Sequence, residues 1–252
     1  MKTYRCVFGA MLGLSLCAAQ ASAQSTSPSS TAGWQGQVVP YLWGSGVNGQ
    51  VGIDNRTADI DASFGNVLSH LHFAAMGMAD ARLNKFVVVA DVFYTDLRGE
   101  DATPGPLFSS VEPQQKVFFL TPEAGYRVVD RSDASLDVLG GIRLWHLSSE
   151  LQFQSGLLPG VNLERSRGWV DAIVGARVRK DFSHKWAADV YGDVGGGGSD
   201  PTYQIVATAN LNLHEHYGLT LGYRYLKVDY DKDNFLMDTA MKGPIVGVAI
   251  KF

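Results

Sequence analysis

Counted back from the C-terminus, every second residue of the final stretch is apolar: Phe252, Ile250, Val248 and Val246. The residues between them, Lys251, Ala249 and Gly247, are small or charged. A period of two describes a strand with two unlike faces. A chain built from such strands does best to close its sheet, because an open edge leaves backbone donors and acceptors without partners. The last strand, Lys242 to Phe252, is therefore expected to pair with the first.

The N-terminus bears on the compartment. Lys2 and Arg5 precede an apolar run from Val7 to Leu16, and Ala21-Ser22-Ala23 offers small residues for cleavage before Gln24. This is the pattern of a secretory signal over residues 1–23, and the run is too short for a spanning helix, which needs about 20 apolar residues. Cys17 raises the question of a lipoprotein, but Leu16 stands where such signals carry a small residue. Cys6 and Cys17 are the only cysteines, so a cleaved chain has no thiol for disulfides, nucleophilic catalysis or thiolate metal sites. Removing Lys2 and Arg5 moves the net charge from −4 to −6, which argues against nucleic acid as a partner. Residues 24–33 (QSTSPSSTAG) read as a disordered leader, and 34–252 as one domain.

Ten strands can be followed along that domain. The first, about Trp34 to Val51, has poorly resolved faces, with Val39, Tyr41 and Trp43 expected outward. A segment that does not alternate follows, in which Asp61-Ala62-Ser63-Phe64 with Val67, Leu68 and Leu71 predicts a short capped helix over or in one mouth of a barrel. From there the two faces separate clearly. In the second strand Phe73, Ala75, Ala79, Ala81 and Leu83 oppose Asp80 and Arg82. In the third, Phe86, Val88, Ala90, Val92 and Tyr94 oppose Asp91. In the fourth, Phe118, Leu120, Ala124, Tyr126 and Val128 oppose Glu123 and Arg127. The fifth sets Leu136, Val138, Ile142 and Leu144 against Asp137, Arg143 and Trp145. The sixth sets Val170 to Val178 against Asp171, Arg177 and Arg179, and the seventh Trp186, Ala188 and Val190 against Asp189, Tyr191 and Asp193. The eighth opposes Tyr203 and Ile205 to Gln204 and Thr208, and the ninth Leu221 and Tyr223 to Arg224. Asn84-Lys85, Arg131 to Asp133, Ser183-His184 and His214 to His216 are short turns. Longer connections are expected up to Gln114, from Gln154 to Arg165, from Gly195 to Pro201 and from Asp229 to Thr239.

An even strand number, short turns at one end and long loops at the other are what a transmembrane barrel requires. The expected fold is thus an all-β, ten-stranded antiparallel transmembrane barrel with a short helix in its first long loop. Trp43, Tyr94, Trp169, Trp186, Tyr203, Tyr217 and Tyr225 would form the interfacial girdles. A soluble sandwich also alternates, but its second face would not carry so many charges of both signs.

The apolar residues Val246, Val248 and Ile250 before a terminal Phe252 resemble the end signal of bacterial outer-membrane barrels, which implies the barrel assembly machinery as a partner. Further segments resemble an uncharacterised family of proteobacterial outer-membrane β-barrel proteins. They are Pro40-Tyr41-Leu42-Trp43-Gly44, Asp61 to Leu68, Asp91 with Phe93-Tyr94, and Gly141 to Trp145. Gly192 to Gly196 with Ser199-Asp200, Leu221 to Leu226, and Gly243-Pro244 complete the set. The resemblance implies the fold, outer-membrane lipid and lipopolysaccharide as surroundings, and a Gram-negative outer-membrane location. It implies no settled activity.

The inward charges are Asp80, Arg82, Asp91, Glu123, Arg127, Asp137, Arg143, Asp171, Arg177, Arg179, Asp189, Asp193 and Arg224. Charges withdrawn from water persist when paired and hydrogen-bonded, so they predict a salt-bridged filling that fixes the barrel. The other reading is a charge-lined narrow path for small polar solutes. His146, Ser148 and Glu150 share one face of the fifth strand, and the pair His146/Ser148 resembles the catalytic pair of outer-membrane lipid A deacylases. The omptin proteases, also ten-stranded, gather aspartates and a histidine at the outer rim, where Asp96, Asp200, His70, His72 and His146 are the available residues. His70-x-His72 and His214-x-His216 lack a carboxylate at ligand spacing, and Gly195 to Gly198 lacks the lysine of a phosphate loop. No cofactor and no metal are expected, and a structural or narrow-channel role is favoured over an enzyme.

Overall fold

Alternation becomes strand where it was legible and also where it was not. The computed structural model describes residues 33–53, 56–102 and 107–252. The signal segment 1–23, all of the leader except Gly33, and the prolines Pro104 and Pro106 lie outside them. In chain order come β1 (Gln35–Trp43), β2 (Gly46–Ile53), β3 (Arg56–Ala62), α1 (Phe64–Ser69), β4 (Leu71–Leu83) and β5 (Phe86–Arg98). The two-residue β6 (Asp101–Ala102), β7 (Phe108–Asp130), β8 (Ala134–Ser155), β9 (Val161–Asp181) and β10 (Trp186–Gly197) follow. The chain ends with β11 (Thr202–Asn212), β12 (Tyr217–Lys232) and β13 (Phe235–Lys251).

Ten of these positions form a closed antiparallel ring, β1-β4-β5-β7-β8-β9-β10-β11-β12-β13 and back to β1. β2 continues the line of β1, since both run along β13, and β3 hairpins off β2. Closure places Val38 opposite Ile250 and Leu42 opposite Val246. Gly36 and Phe252 exchange two backbone hydrogen bonds of 3.0 Å at the seam. Because directly opposed residues share a face, this register decides the phase of the first strand. Ile250 and Val246 are exposed, so Val38 and Leu42 face outward, and Val39, Tyr41 and Trp43 are buried inside. The expectation for that strand is reversed. Either phase of β1 is apolar, and only the partner strand distinguishes them.

Elsewhere the faces fall as the alternation predicts. Val88, Val138, Ile142, Val174, Val190, Ile205, Leu221 and Val248 are exposed on the outside as an apolar band. The strands are longer than their apolar stretches, however. β7, β8 and β9 span 23, 22 and 21 residues, against 12 and 11 for β10 and β11, so one wall rises well above the other. The expected connection from Gln154 to Arg165 shrinks to the residues between Ser155 and Val161. The expected loop from Asp229 to Thr239 is a two-residue turn, with Asp233 and Asn234 at φ 53° and 59°. Two successive left-handed residues make the tight hairpin turn that matches strand twist. Above the apolar band the alternation on β12 is reversed, with Leu226, Val228 and Tyr230 buried and Lys227, Asp229 and Asp231 on the other face.

Ser63 caps α1, its hydroxyl accepting from the Asn66 N–H at 3.3 Å. The helix does not enter or cover the lumen. A Cβ built on Gly44 would stand 3.3 Å from the Phe64 ring and 3.4 Å from Pro244, so α1 rests on the outside of the wall. Leu71, expected on the helix, opens β4 instead. An apolar helical stripe needs cover from water, and the outer surface of a lipid-facing barrel supplies it as well as a lumen would.

A charge on the apolar band tests the lipid assignment. Val174 is 57% exposed near the middle of β9. Val174→Arg is expected to destabilise the barrel by about 2–4 kcal/mol in folding titrations into phospholipid vesicles. An unchanged midpoint would indicate that this face meets water.

Candidate functional site

The interior is the candidate site, and it has two unlike halves. Toward the long-hairpin end, register brings inward aromatics into one row: Phe93 opposite Phe119, Phe119 opposite Trp145, and Trp145 opposite Trp169. Their ring centroids lie 4.8, 4.9 and 5.5 Å apart, and Tyr230 closes on Trp169 at 4.3 Å. Trp43 meets Phe93 edge-on at 5.6 Å. Such contacts each contribute about 0.5–1.5 kcal/mol beyond area burial. Leu147, Leu226, Val228, Met237, Met241 and Ile245 fill the space between the rings, and the lumen at this level is a solid apolar core. Gly198 makes room for it, since a Cβ there would come within 2.6 Å of the Trp169 indole.

Of these rings the alternation placed only Trp145 inside. Trp43 and Trp169 were expected in the girdles, and the structure buries both in the lumen. The signal that finds them is parity with the charges. Phe93, Trp145 and Trp169 each stand two residues from an inward charge, namely Asp91, Arg143 and Asp171. An aromatic near a strand end suits an interface and a core equally, so position alone did not discriminate.

Below the aromatic layer all thirteen predicted charges point inward. Arg224 on β12 reaches across the ring to Asp91 on β5 at 2.7 Å, with Tyr41 Oη accepting from the guanidinium at 2.8 Å and donating to Asp91 at 2.7 Å. The same guanidinium lies 4.7 Å from the Trp43 ring and 5.0 Å from Phe119, which joins the polar layer to the aromatic one. Arg143, fully buried, donates to Asp193 at 2.7 Å, to Thr121 at 3.1 Å and to Thr202 at 3.3 Å. Arg177 is held by Asp137 at 3.0 Å and extends across to Asp80 at 3.6 Å. Arg127 completes the grip on Asp137 at 2.7 Å, and Arg179 binds Asp189 at 3.0 Å.

Three predicted members stand apart from the ion pairs. Arg82 donates to Gln35 and to the Asn84 carbonyl, with no carboxylate in range among the described residues. Asp171 accepts from Trp169 Nε1 at 3.1 Å and from the Ser199 N–H at 2.6 Å. Glu123 accepts from Tyr191 Oη at 2.9 Å. The charges are therefore separate clusters at several heights rather than one network.

Between the clusters is a cavity of about 620 Å³. Its lining starts at the exposed turn residues Arg131, Glu215 and His216 and ends at Arg224 and Ile245 beneath the aromatic core. Ile245 and Lys251 both line it, which makes it about 20 Å deep along β13 at ~3.3 Å per residue. The cavity is a cup, open at the short-turn end and floored by the layer of Arg224. The turn at its rim is tied by Lys180, which hydrogen-bonds Asp133 and holds that carboxyl below the usual carboxylate range.

The other sequence candidates do not assemble. His146 is exposed on the outer face, and among the described residues no hydrogen bond joins it to Ser148. His72 Nδ1 lies 3.5 Å from Asp96, but Asp96 is already engaged by Arg98 at 2.9 Å and Gln114 at 2.7 Å. Asp200, between β10 and β11, sits on the opposite side of the ring from β4 and β5. His214 and His216 have ring centroids 6.0 Å apart, and no group of three possible ligands for a metal occurs among the described residues.

No family model matches the sequence, and no curated protein does either. Solved structures do match. The outer membrane protease OmpT from Escherichia coli is 8% identical at a TM-score of 0.50, over 90% of this chain and 99% of that one. The translocator domain of the autotransporter NalP from Neisseria meningitidis is 13% identical at a TM-score of 0.47, over 87% and 88%. The fold is that of an outer-membrane β-barrel. Identities this low carry the fold and nothing of the chemistry.

Removing Arg143 while leaving Asp193 tests the lower layer. Arg143→Met strands a buried carboxylate and is expected to cost about 3–5 kcal/mol. Adding Asp193→Leu should restore much of that loss, read as the midpoint of heat-modified gel mobility. Equal destabilisation by the single and the double variant would show that the pair does not hold the barrel.

Proposed function

We propose that this chain is exported, cleaved after Ala23 and inserted as a closed, structural barrel in a Gram-negative outer membrane. It carries tall hairpins on the outside and an aqueous cup on the periplasmic side. The observation that carries this reading is the continuous filling of the upper lumen, from the Arg224–Asp91–Tyr41 cluster through the Phe93–Trp169 row to Tyr230 and Met237. These groups all come from the wall itself, so no separate plug has to leave for the lumen to open. A conducting path for small polar solutes would require the row and the ion pairs to part together, which sets a sealed barrel ahead of a narrow channel.

The outward apolar band suits outer-membrane lipid, with lipopolysaccharide on the side of the hairpins. Val246, Val248, Ile250 and Phe252 lie on that outward face, accessible for recognition by the assembly machinery before closure. Lipid A hydrolysis through His146 and Ser148 remains the reading from another class. It lacks the nucleophile–base hydrogen bond that such chemistry uses.

Planar-bilayer recording decides the main proposal. The purified barrel is expected to give no unitary current, and a variant with the filling truncated (Trp145→Ala with Arg224→Ala) to give steps. Steady current from the unaltered barrel would overturn it. Cells bearing Ser148→Ala should show the same lipid A mass spectrum as cells bearing the parent chain.

A further inference from the structure

The carboxylates that line the cup have cations, with Glu123 and Glu215 as exceptions among the described residues. Asp80, Asp91, Asp181 and Asp189 are paired with arginines, and Glu215 stands exposed in a turn. Glu123 is 5% exposed, lines the cup near its floor and receives the Tyr191 hydroxyl. Among the described residues no arginine or lysine nitrogen comes within 4.0 Å of it. The nearest guanidinium clusters are otherwise engaged, Arg143 with Asp193 and Arg177 with Asp137. An ionised carboxyl in that position is costly unless something pairs with it.

Its surroundings are shaped for a guest. Register sets Glu123 between Val89 on one side and Gly141 on the other. A Cβ on Gly141 would come within 2.1 Å of the Pro122 carbonyl oxygen and 3.0 Å of Glu123 Cγ, so the close approach of β7 requires glycine there and leaves space beside Glu123 as well. Val39, Met78 and Leu139 line the cavity with it, as does Tyr191. At this depth an apolar patch lies beside a placed carboxylate within an otherwise polar, charge-lined cavity large enough for a small molecule. The rim sets no strong field against entry. Arg82, Arg131 and Lys251, which lack carboxylate partners there, stand against Glu215, and the other lining charges are paired.

We propose that the floor of the cup is a binding site for a small organic monocation. The ligand is an ammonium group on an apolar body, entering from the short-turn end. The ammonium sits on Glu123, while the body covers Val89, Met78 and Leu139. This extends the reading of the cup as reachable from the short-turn side. Whether the lumen conducts is read separately as bilayer current.

Titration calorimetry on the folded barrel in nanodiscs, with three phenylethyl probes of differing charge, tests it. Phenethylamine is expected to bind at least tenfold more tightly than phenethyl alcohol, and 3-phenylpropionate not at all. Glu123→Gln, checked for folding by heat-modified mobility, should abolish the preference for the amine. Leu139→Trp, which fills the chamber and leaves Glu123 in place, should abolish binding of both amine and alcohol. Equal binding of amine and alcohol would mean that Glu123 holds a proton instead of a guest, and the proposal would fall. It would fall equally if Glu123→Gln retained the preference or if the parent barrel bound no probe.

Discussion

Ring closure between β1 and β13 is the constraint from which the rest of this molecule follows. Once Val38 stands opposite Ile250 and Leu42 opposite Val246, the sheet has no free edge in the band. The same registration gives every residue an inside or an outside, because adjacent strands share their faces. A sheet left open at that seam would present two edges to lipid, where nothing can satisfy them. The double hydrogen bond between Gly36 and Phe252 therefore matters beyond its own strength.

Closing ten strands creates an interior that has to be filled or wetted, and this barrel does both. The outer half is built like the core of a soluble domain, with stacked rings and methionines. The inner half is built from arginine–aspartate clusters at several heights around the open cup. Arg224 belongs to both, its charge on Asp91 and its flat faces near Trp43 and Phe119. A guanidinium suits that junction because it is planar and weakly hydrated, whereas a lysine ammonium would keep its water. The aromatic layer shields the Arg224–Asp91 pair from one side, and the pair fixes the floor on which the rings rest.

Much of this was legible before any coordinates. The inward set from Asp80 to Arg224 was readable because each charge stood against aliphatic neighbours at alternate positions. The helix start at Ser63 was readable from its capping chemistry. What could not be read shares one cause. Val39, Tyr41 and Trp43 alternate with Val38 and Leu42, so β1 had two apolar phases and no internal reason to choose. Trp169 lay near a strand end, where interface and core ask for the same side chain. The hairpin extension from Tyr230 to Met237 has the polar run Asp231 to Asn234 at its tip, so it resembled a loop.

By itself, the sequence determined that the chain is a lipid-facing ring of ten strands with short turns at one end, because period-two alternation is a property of neighbours along the chain. Only the tertiary structure decided that the lumen is filled above by the aromatic layer and open below. Filling depends on which residues meet across the ring, such as Arg224 with Asp91 and Trp145 with Trp169. Those meetings are set by strand register and barrel diameter, which no local pattern records.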